Sequence, residues 1–310
     1  MKALVATEYG PVDTLAIAEL PKPVPGPGQV LVKVEAAALN PLDIVLVLGI
    51  LREFMPVEHP FVPGLDAAGV VESVGEGVTD FAPGDKVVAF TFGVGGTVAE
   101  YVLAAQGPGL IARPEGLDAV RAAGLPVAAM TAAALLDASG VEAGKTALVI
   151  GATGGVGSFA VQLVAAAGAT VVATSSPAAA DDVRRLGAEQ IIDHTSEDTV
   201  ARALELVPGG FDAVFDLVNR GPALAASAAA VKPGGKLVSP NDNPGELDRD
   251  VTAFHVGVEQ GADQLGALVA KAGAGELSVE VGSVYPFADA GQAVVDFVGK
   301  SKRGKVVIEF

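Results

Sequence analysis

The stretch LVIGATGGVGSFAVQLVAAAGATVVATSSP, residues Leu148–Pro177, constrains the fold of this 310-residue chain more than any other segment. A short apolar run enters a glycine turn, a helix-like segment of small apolar residues follows, and a second apolar run ends in Thr-Ser-Ser. This order indicates a βαβ unit of a parallel sheet. Gly151, Gly154 and Gly157 would permit a sharp turn, close approach of a phosphate and close helix–sheet packing.

The glycine turn predicts a binding site for a nucleotide pyrophosphate. Backbone N–H groups at a helix N-terminus carry partial positive charge and hydrogen-bond phosphate oxygens. A glycine pattern alone is a weak signal, and its position between a strand and a helix gives the prediction its weight. The alternative is a tight turn that holds no ligand.

The end of the second apolar run bears on which nucleotide would bind. NAD-binding proteins place Asp or Glu near this point for the ribose 2′-hydroxyl, whereas this chain has Thr174, Ser175 and Ser176. Hydroxyl groups can donate hydrogen bonds to a 2′-phosphate, so the sequence favours NADP(H). Asp181 and Asp182 argue mildly against this, and the alternative is that the serines only cap the next helix.

Charge and composition exclude several classes of partner. The formal net charge is −17, which disfavours binding to nucleic acid or anionic lipid. The absence of cysteine excludes disulfides and thiolate metal sites. The segment MKALVATEYG lacks the long apolar core of a secretory signal, and apolar runs are interrupted well before the ~20 residues of a membrane span. We therefore expect a cytoplasmic protein.

The chain changes character near Arg113–Asp118. Before that point, Met1–Thr7, Gln29–Ala38 and Ala68–Val74 have strand-like composition, and Val74–Phe90 alternates glycine turns with short apolar runs, as in a bent β-barrel. After it, helical segments alternate with short apolar runs. The candidate strands there are Ala147–Ile150, Thr170–Ala173, Gln190–Asp193, Ala213–Leu217 and Lys236–Ser239.

The last third predicts a return to the first domain. VKPGGKLVS, residues Val231–Ser239, predicts a helix end, a Pro-Gly-Gly turn and a strand. Beyond Gly282 the sequence is β-like again, and Gly304–Phe310 can rejoin the first domain. The sequence thus predicts an α/β chain in which residues 1–118, completed by 281–310, form one domain and residues 119–280 the other.

The glycine turn is one of several motifs in a family-like order. The others are GPGQVLVKVEAAALNPLDIVLVLG (Gly26–Gly49), PGLDAAGVVESVGEGVTDFAPGDKVVAF (Pro63–Phe90), AEYV (Ala99–Val102), AAGLPVAAMTAAALL (Ala122–Leu136) and KPGGKLVS (Lys232–Ser239). Together they resemble the medium-chain dehydrogenase/reductase superfamily, specifically its zinc-free quinone oxidoreductase branch, over essentially the whole chain. The resemblance implies a GroES-like β-barrel domain and a doubly wound Rossmann domain, with NADPH bound in the cleft between them. It also implies a homodimer joined edge to edge through the Rossmann sheet, and the strand Lys236–Pro240 could form that interface.

The resemblance also implies roles for individual residues. Zinc-dependent relatives have Cys at the position of Asn40 and His at that of Leu65, so no catalytic zinc is expected. Asn40 would lie beside the nicotinamide and donate a hydrogen bond to a substrate carbonyl oxygen. Asp43 is the nearest ionisable candidate for the proton, although we expect it to be structural. The implied cofactor-binding residues are Thr131, Gly151, Thr153, Gly154, Gly155, Val156, Ser175, Ser176, His194, Leu217, Val238 and Ser239.

Two further departures from the family pattern concern the cofactor site. Ala179 replaces a lysine of the 2′-phosphate loop, and His194 replaces a tyrosine after the third strand of the Rossmann domain.

The expected reaction is hydride transfer from NADPH to a quinone or an α,β-unsaturated carbonyl in an apolar pocket. Another metal-free catalyst in a biosynthetic pathway and a non-catalytic NADPH-binding protein are the alternatives. The candidate pocket residues are Val45, Leu51, Phe54, Phe61, Phe92 and Phe254, and the polar loop Ser239–Asp250 would lie at the ligand cleft.

Overall fold

The fold is taken from a computed structural model that describes residues 1–93, 95–243, 245, 247, 250–300 and 303–310. In chain order the strands and helices are β1 (Lys2–Val5), β2 (Ala16–Glu19), β3 (Gln29–Ala38), α1 (Pro41–Val47), β4 (Asp66–Val74), β5 (Lys86–Phe90), β6 (Tyr101–Ala105), β7 (Leu110–Ala112), α2 (Ala119–Ala123), α3 (Pro126–Ser139), β8 (Thr146–Ile150), α4 (Gly155–Ala166), β9 (Thr170–Ser175), α5 (Ala180–Arg185), β10 (Gln190–Asp193), α6 (Thr199–Leu206), β11 (Phe211–Asp216), α7 (Gly221–Ser227), β12 (Val231–Ser239), β13 (Val251–His255), α8 (Leu265–Gly273), β14 (Val281–Pro286), α9 (Ala290–Gly299) and β15 (Lys305–Glu309).

The chain divides into two compact units. The first consists of Met1–Val127 together with Asp263–Phe310, and the second of Ala128–Ala262. These divisions differ from the predicted limits at residues 118 and 281. The physical reason is that α2 packs against β3 and β4 and α8 against β7, so both helices belong with the first unit.

A seven-stranded sheet forms the framework of the first unit. Its order is β14-β15-β3-β4-β5-β7, and β6 also pairs with β3. The long strand β3 pairs with β4 along most of its length, and its register shifts show where it bends. β15 pairs antiparallel with the end of β3, so the predicted return of the last strand to the first domain is confirmed. Valine and alanine side chains of these strands fill the core.

The second unit is built on a six-stranded parallel sheet. Its order is β10-β9-β8-β11-β12-β13, and each neighbouring pair is parallel. All five predicted strands are present within this sheet. The chain runs outward from β8 to β10 on one side and from β11 to β13 on the other. The carboxyl ends of β8 and β11 therefore meet at a topological switch point, the usual ligand-binding edge of such sheets.

The structure corrects two predictions at β12. Val231–Ser239 is one strand, because its Pro-Gly-Gly segment is accommodated by a register shift against β11 and Gly235 pairs with Val251 of β13. The strand Lys236–Pro240 is not a free edge, because β13 covers it and β13 itself occupies the edge position. Of the predicted polar loop Ser239–Asp250, residues 244, 246, 248 and 249 lie outside the described residues. In the described part of the chain, no helix combines the length and the apolar character needed to cross a membrane.

Candidate functional site

The first unit contains a largely apolar pocket of about 630 Å³. The polar side chains on its wall belong to Asp43, Glu58 and Thr91, and among the described residues that line it none is basic. The remaining lining residues are Leu46, Met55, Pro56, Val57, Pro60, Phe61, Val62, Gly64, Leu65, Phe92, Gly93, Gly95 and Gly96. A pocket of this size and chemistry fits a small ligand that is mostly apolar.

One wall of the pocket is held by Tyr9. The Tyr9 hydroxyl accepts a hydrogen bond from the backbone N–H of Val57 at 2.9 Å, and its ring meets that of His59 edge to face at 4.6 Å. Gly49, with a φ of +67°, follows α1 and lies so close that a Cβ there would be 2.8 Å from the Tyr9 ring. Only glycine fits both this conformation and this contact.

Asp43 belongs to the pocket wall and also to a buried polar cluster with Asn40, Asp66 and Lys305. The four residues are 1%, 3%, 0% and 4% exposed, respectively. The Lys305 ammonium donates hydrogen bonds to Asn40 Oδ1 at 2.6 Å and to Asp66 Oδ2 at 3.2 Å. Asn40 Nδ2 donates to Asp66 Oδ2 at 2.9 Å, and Asp66 Oδ1 accepts from the backbone N–H of Val127 at 3.0 Å.

Local sequence explains how the cluster forms. Pro41 begins α1, where its missing N–H costs nothing, and Asp43 near the helix start accepts the backbone N–H of Asn40 at 2.7 Å. Asp66 begins β4 opposite Ala38, the last residue of β3. β15 is positioned by pairing with β3, which places Lys305 at its first residue. Two strands and one helix start thus converge on one buried point.

The electrostatics of the cluster follow from burial. Burial, and to a smaller extent the nearby Asp66 carboxylate, raise the pKa of Asp43, whereas the backbone N–H of Asn40 and the Lys305 ammonium lower it. Burial dominates, and the pKa is raised to about 7. Burial also raises the pKa of Asp66, which the Lys305 ammonium and the hydrogen bonds from Asn40 and Val127 oppose. One buried cation therefore faces two buried carboxyl groups.

The side-chain amide of Asn40 is hydrogen-bonded inside the cluster. Its side-chain oxygen accepts from Lys305, and its Nδ2 donates to Asp66 and, at 3.4 Å, to the carbonyl of Ala38. Asn40 is not among the residues that line the pocket. Asn40 therefore organises the cluster, and its role as a hydrogen-bond donor to a substrate oxygen stays a prediction.

The cluster residues do not fit a zinc ion. The oxygen of Asn40 is bound to an ammonium group, and Leu65 offers an apolar side chain. A dication would be repelled by Lys305, which already supplies the buried positive charge. Within the described residues, no three His, Cys, Asp or Glu side chains come together as metal ligands.

The glycine turn of the second unit fits a dinucleotide. Gly151 has a φ of +92°, and a Cβ on Gly157 would lie 2.1 Å from the carbonyl oxygen of Gly151, so helix and turn touch. A Cβ on Gly154 would meet its nearest atom at 3.5 Å, which leaves the space above that residue to a ligand. α4 begins at Gly155, and the N–H groups of its first turn, including that of Val156, lack intrahelical acceptors.

The hydroxyls at the end of β9 are not equivalent. Thr174 Oγ1 accepts from the backbone N–H of Gly151 at 2.9 Å and so supports the turn. The Ser175 hydroxyl is fully buried and donates to the carbonyl of Ser176 at 3.0 Å. Ser176 is half-buried, and among the described residues its side chain makes no capping hydrogen bond to the turn that follows. Of these three hydroxyls, that of Ser176 is therefore the one that stays partly accessible, and its predicted role at a 2′-phosphate stays a prediction.

The other predicted cofactor residues have the following positions. His194 is exposed and directly follows β10, whose Asp193 pairs with Ser175, so it lies beside the end of β9. Leu217 follows β11 and Ser239 ends β12, both on the carboxyl edge of the sheet. The side chain of Val238 is buried, so only its backbone could contact a ligand. Thr153 lies within the glycine turn, and Thr131 is buried in α3.

The predicted pocket residues divide into two groups. Phe61 and Phe92 line the pocket, whereas Val45, Leu51 and Phe54 do not, and the side chain of Phe54 is 83% exposed. The predicted Phe254 belongs to β13 of the second unit.

Sequence reasoning missed Glu58 and Thr91 in the pocket and Lys305 in the cluster. A lysine followed by VVI at the start of a strand is the one signal that could have drawn attention to Lys305, because a charge there enters the interior.

We expect the Lys305–Asp66 pair to be essential to the stability of the first unit. Lys305→Met should lower the free energy of unfolding by about 3–5 kcal/mol, because it leaves a buried carboxylate without its cation, and adding Asp66→Asn should recover part of the loss. Tyr9, Tyr101 and Tyr285 are the only tyrosines, all three lie in the first unit, and the chain has no tryptophan. Tyrosine fluorescence during urea unfolding therefore reports on this unit.

The matched control is Lys300→Met. Lys300 also pairs with an aspartate, Asp296, at 2.7 Å, but its side chain is 68% exposed. Its loss should leave the free energy of unfolding nearly unchanged, because an exposed ion pair contributes little to stability. Equal losses for the two lysine variants would contradict a special role for the buried pair.

Comparison with known proteins matches each of the two units to a separate family model. Residues 26–114 match the family model of the alcohol dehydrogenase GroES-like domain, and residues 155–248 match that of zinc-binding dehydrogenase. The chain is 32% identical to the chloroplast envelope quinone oxidoreductase homolog of Arabidopsis thaliana, over 100% of this chain and 98% of that protein. It is 38% identical to the NADPH-dependent alkenal/one oxidoreductase of the same plant, over 77% of this chain and 62% of that protein.

Solved structures give the same result. A structure described as an NAD-dependent alcohol dehydrogenase superposes with a TM-score of 0.90 at 29% identity, with all of both chains covered. A mycobacterial protein solved in complex with NADPH superposes with a TM-score of 0.87 at 29% identity, again over the whole of both chains. The predicted GroES-like and Rossmann-type domains are confirmed. The chain belongs to the medium-chain dehydrogenase/reductase superfamily, in its quinone oxidoreductase-like branch.

Proposed function

We propose that this protein transfers a hydride from NADPH to a small, uncharged quinone or α,β-unsaturated carbonyl compound. The observation that carries the proposal is the apolar pocket of about 630 Å³, whose ionisable side chains are acidic. The dinucleotide cradle at Gly151–Gly157 of the second unit would bind the cofactor. The named activities of the relatives, quinone oxidoreductase and NADPH-dependent alkenal/one oxidoreductase, support this substrate class.

The residues have separate tasks in this reaction. The N–H groups at the start of α4 and the space above Gly154 would hold the pyrophosphate, and Ser176 would bind the 2′-phosphate. NADPH, when bound, supplies the hydride. The apolar wall formed by residues such as Leu46 and Phe61 would exclude water and hold the carbon skeleton of the substrate.

Charge restricts the substrate. Asp43 and Glu58 both line the pocket, and the chain carries a formal net charge of −17. A negatively charged substrate would lose its hydration on entry and would meet no compensating cation among the described lining residues. The pocket therefore selects neutral molecules over carboxylates, sulfonates and phosphate esters.

We expect the enzyme to prefer an enone carrying a remote methyl ester over the same enone carrying the free carboxylate. The pair has the same reacting group, so kcat/KM should differ by tenfold or more, corresponding to about 1.4 kcal/mol of repulsion and lost hydration. The measurement follows the loss of NADPH absorbance at saturating cofactor. Glu58→Gln should narrow the difference. Equal use of ester and carboxylate would contradict a neutral-substrate pocket, and no NADPH oxidation with any quinone or enone would contradict the function.

Cofactor choice gives a second prediction. Ser176→Ala should weaken NADPH binding by roughly tenfold to a hundredfold, because a hydrogen bond to a charged phosphate is lost, and should leave NADH binding nearly unchanged. Ser175→Ala is the matched control, since the Ser175 hydroxyl is buried and donates to Ser176. Calorimetric titration of each variant with NADPH and NADH measures the difference. Equal losses for both cofactors in the Ser176 variant would place the choice of cofactor elsewhere.

We also propose that the protein is a homodimer joined through β13. This strand pairs with β12 on one side and forms the edge of the sheet on the other, and it carries the partly exposed Phe254. An edge strand of this kind offers unpaired backbone groups to a second copy. Equilibrium sedimentation tests this, since a monomer at micromolar concentration would contradict it. The cytoplasmic location and the absence of membrane and nucleic-acid partners stay predictions.

A further inference from the structure

We propose that Asp43 donates the proton that completes the reduction, through its carboxyl oxygen Oδ1. The proposal rests on the proposed function, which leaves the source of this proton open. It assigns Asp43 a chemical task in addition to its place in the buried cluster.

One carboxyl oxygen of Asp43 holds the side chain in place through a hydrogen bond, and the other is left available to carry a proton. Oδ2 accepts the backbone N–H of Asn40 at 2.7 Å. Oδ1 is buried, and among the described residues it has no hydrogen-bond partner of good geometry, although the backbone N–H of Gly64 lies close enough to favour the charged form. Because Asp43 lines the pocket, Oδ1 is the atom from which a proton could pass to a molecule bound there.

The other polar groups of the pocket are poor alternatives. The Thr91 hydroxyl donates to the carbonyl of Gly95 at 2.7 Å, and an alcohol is a weak acid. Glu58 is exposed, so water solvates its carboxylate. Among the described lining residues, Asp43 is thus the one acid that is both buried and held in a fixed orientation.

The surroundings of Asp43 keep both of its protonation states accessible. Asp66 on β4 and Lys305 on β15 are the charged groups that face it from the neighbouring elements, and Glu58 shares the pocket wall. Burial and the Asp66 carboxylate favour the protonated form, and the Lys305 ammonium limits their effect, so that the pKa is raised to about 7. A general acid works best when its pKa lies near the working pH.

Each bond that forms in the proton transfer is matched by a bond that breaks. When the β-carbon of an enone has received the hydride, the electron pair of the C=C bond is delocalised over the enolate. The Asp43 O–H bond breaks, a C–H bond forms at the α-carbon, and the electrons of the O–H bond remain on the carboxylate. With a quinone, the proton goes to the oxygen of the hydroquinone anion. Solvent then returns a proton to Asp43, and NADPH has supplied the two electrons.

Asp43→Asn tests the assignment. The amide oxygen can still accept the backbone N–H of Asn40, but the side chain cannot donate an acidic proton. We expect kcat to fall by about 10²–10⁴-fold and the decline of activity above neutral pH to disappear, while NADPH binding measured by calorimetry stays within about twofold. Glu53→Gln removes an exposed carboxyl that does not line the pocket, so this variant is the control and should keep the wild-type pH profile. An Asp43→Asn variant with wild-type kcat and pH profile would overturn the proposal.

A readout without cofactor or substrate tests the same group. In the wild-type protein, a difference infrared titration should show a protonated buried carboxyl that ionises near pH 7, and Asp43→Asn should remove that band. A wild-type protein without this band would overturn the proposal, even where the variant does not fold. If wild-type protein shows the band but oxidises NADPH with no quinone or enone, the proposed function fails and the proton donor falls with it. If the wild-type protein oxidises NADPH with a quinone or enone and Asp43→Asn does so equally well, the proposed function holds and only the assignment of the proton donor fails.

The stability of the first unit should depend on pH in the corresponding direction. Because the folded pKa of Asp43 lies above its unfolded value, folded Asp43 retains its proton between about pH 4 and pH 7, where the unfolded chain has released it. Its contribution to stability is therefore present at low pH and is lost as the pH rises through about 7. Urea unfolding followed by tyrosine fluorescence measures this effect. Between about pH 4 and pH 7 the free energy of unfolding should fall less in Asp43→Asn than in the wild-type protein. An identical pH dependence of the wild-type protein and the variant would overturn the proposal.

Discussion

The Lys305–Asp66 ion pair is the interaction on which the first unit depends. It joins the first residue of the last strand to the first residue of β4, and both side chains are almost completely removed from water. Burying two charges is costly unless each is paired and hydrogen-bonded, and here Asn40 and the backbone of Val127 complete the pairing. The pair fixes the end of β3, the start of α1 and the start of β15 relative to one another, and thereby one end of the pocket wall.

One carboxyl group connects this structural core to the chemistry. Asp43 lies at the start of α1, contacts the cluster through Asn40 and is also one of the residues that line the pocket. The Lys305 ammonium supplies the single buried positive charge at this point of the cluster. Burial raises the pKa of Asp43, the Asp66 carboxylate raises it as well, and the single charge of Lys305 opposes both only in part, so the pKa is raised to about 7. The chemistry of the pocket therefore follows from the charge balance behind it.

The sequence predicted what depends on local order. The parallel sheet, the glycine turn and the return of the last strand follow from periodicity, from glycine positions and from short motifs. The buried cluster could not be predicted in this way, because Asn40 and Lys305 are 265 positions apart and no local pattern joins them. The different roles of Ser175 and Ser176 depend on which hydroxyl points into the core. β13 follows a segment of polar residues and was not predicted from the sequence, so its position outside β12 at the edge of the sheet could not be predicted either.

The division of the chain has a consequence for the order of folding during synthesis. Residues 128–262 form one unit from consecutive sequence, whereas the other unit needs both residues 1–127 and residues 263–310. As the chain leaves the ribosome, the nucleotide-binding half is complete before the pocket half can close. Until Lys305 emerges, Asp43 and Asp66 have no buried cation, so their carboxyl groups favour an open, hydrated arrangement. A chain that stops short of β15 therefore lacks both the strand and the cation that complete the first unit, and it leaves apolar surface open to chaperones and proteases.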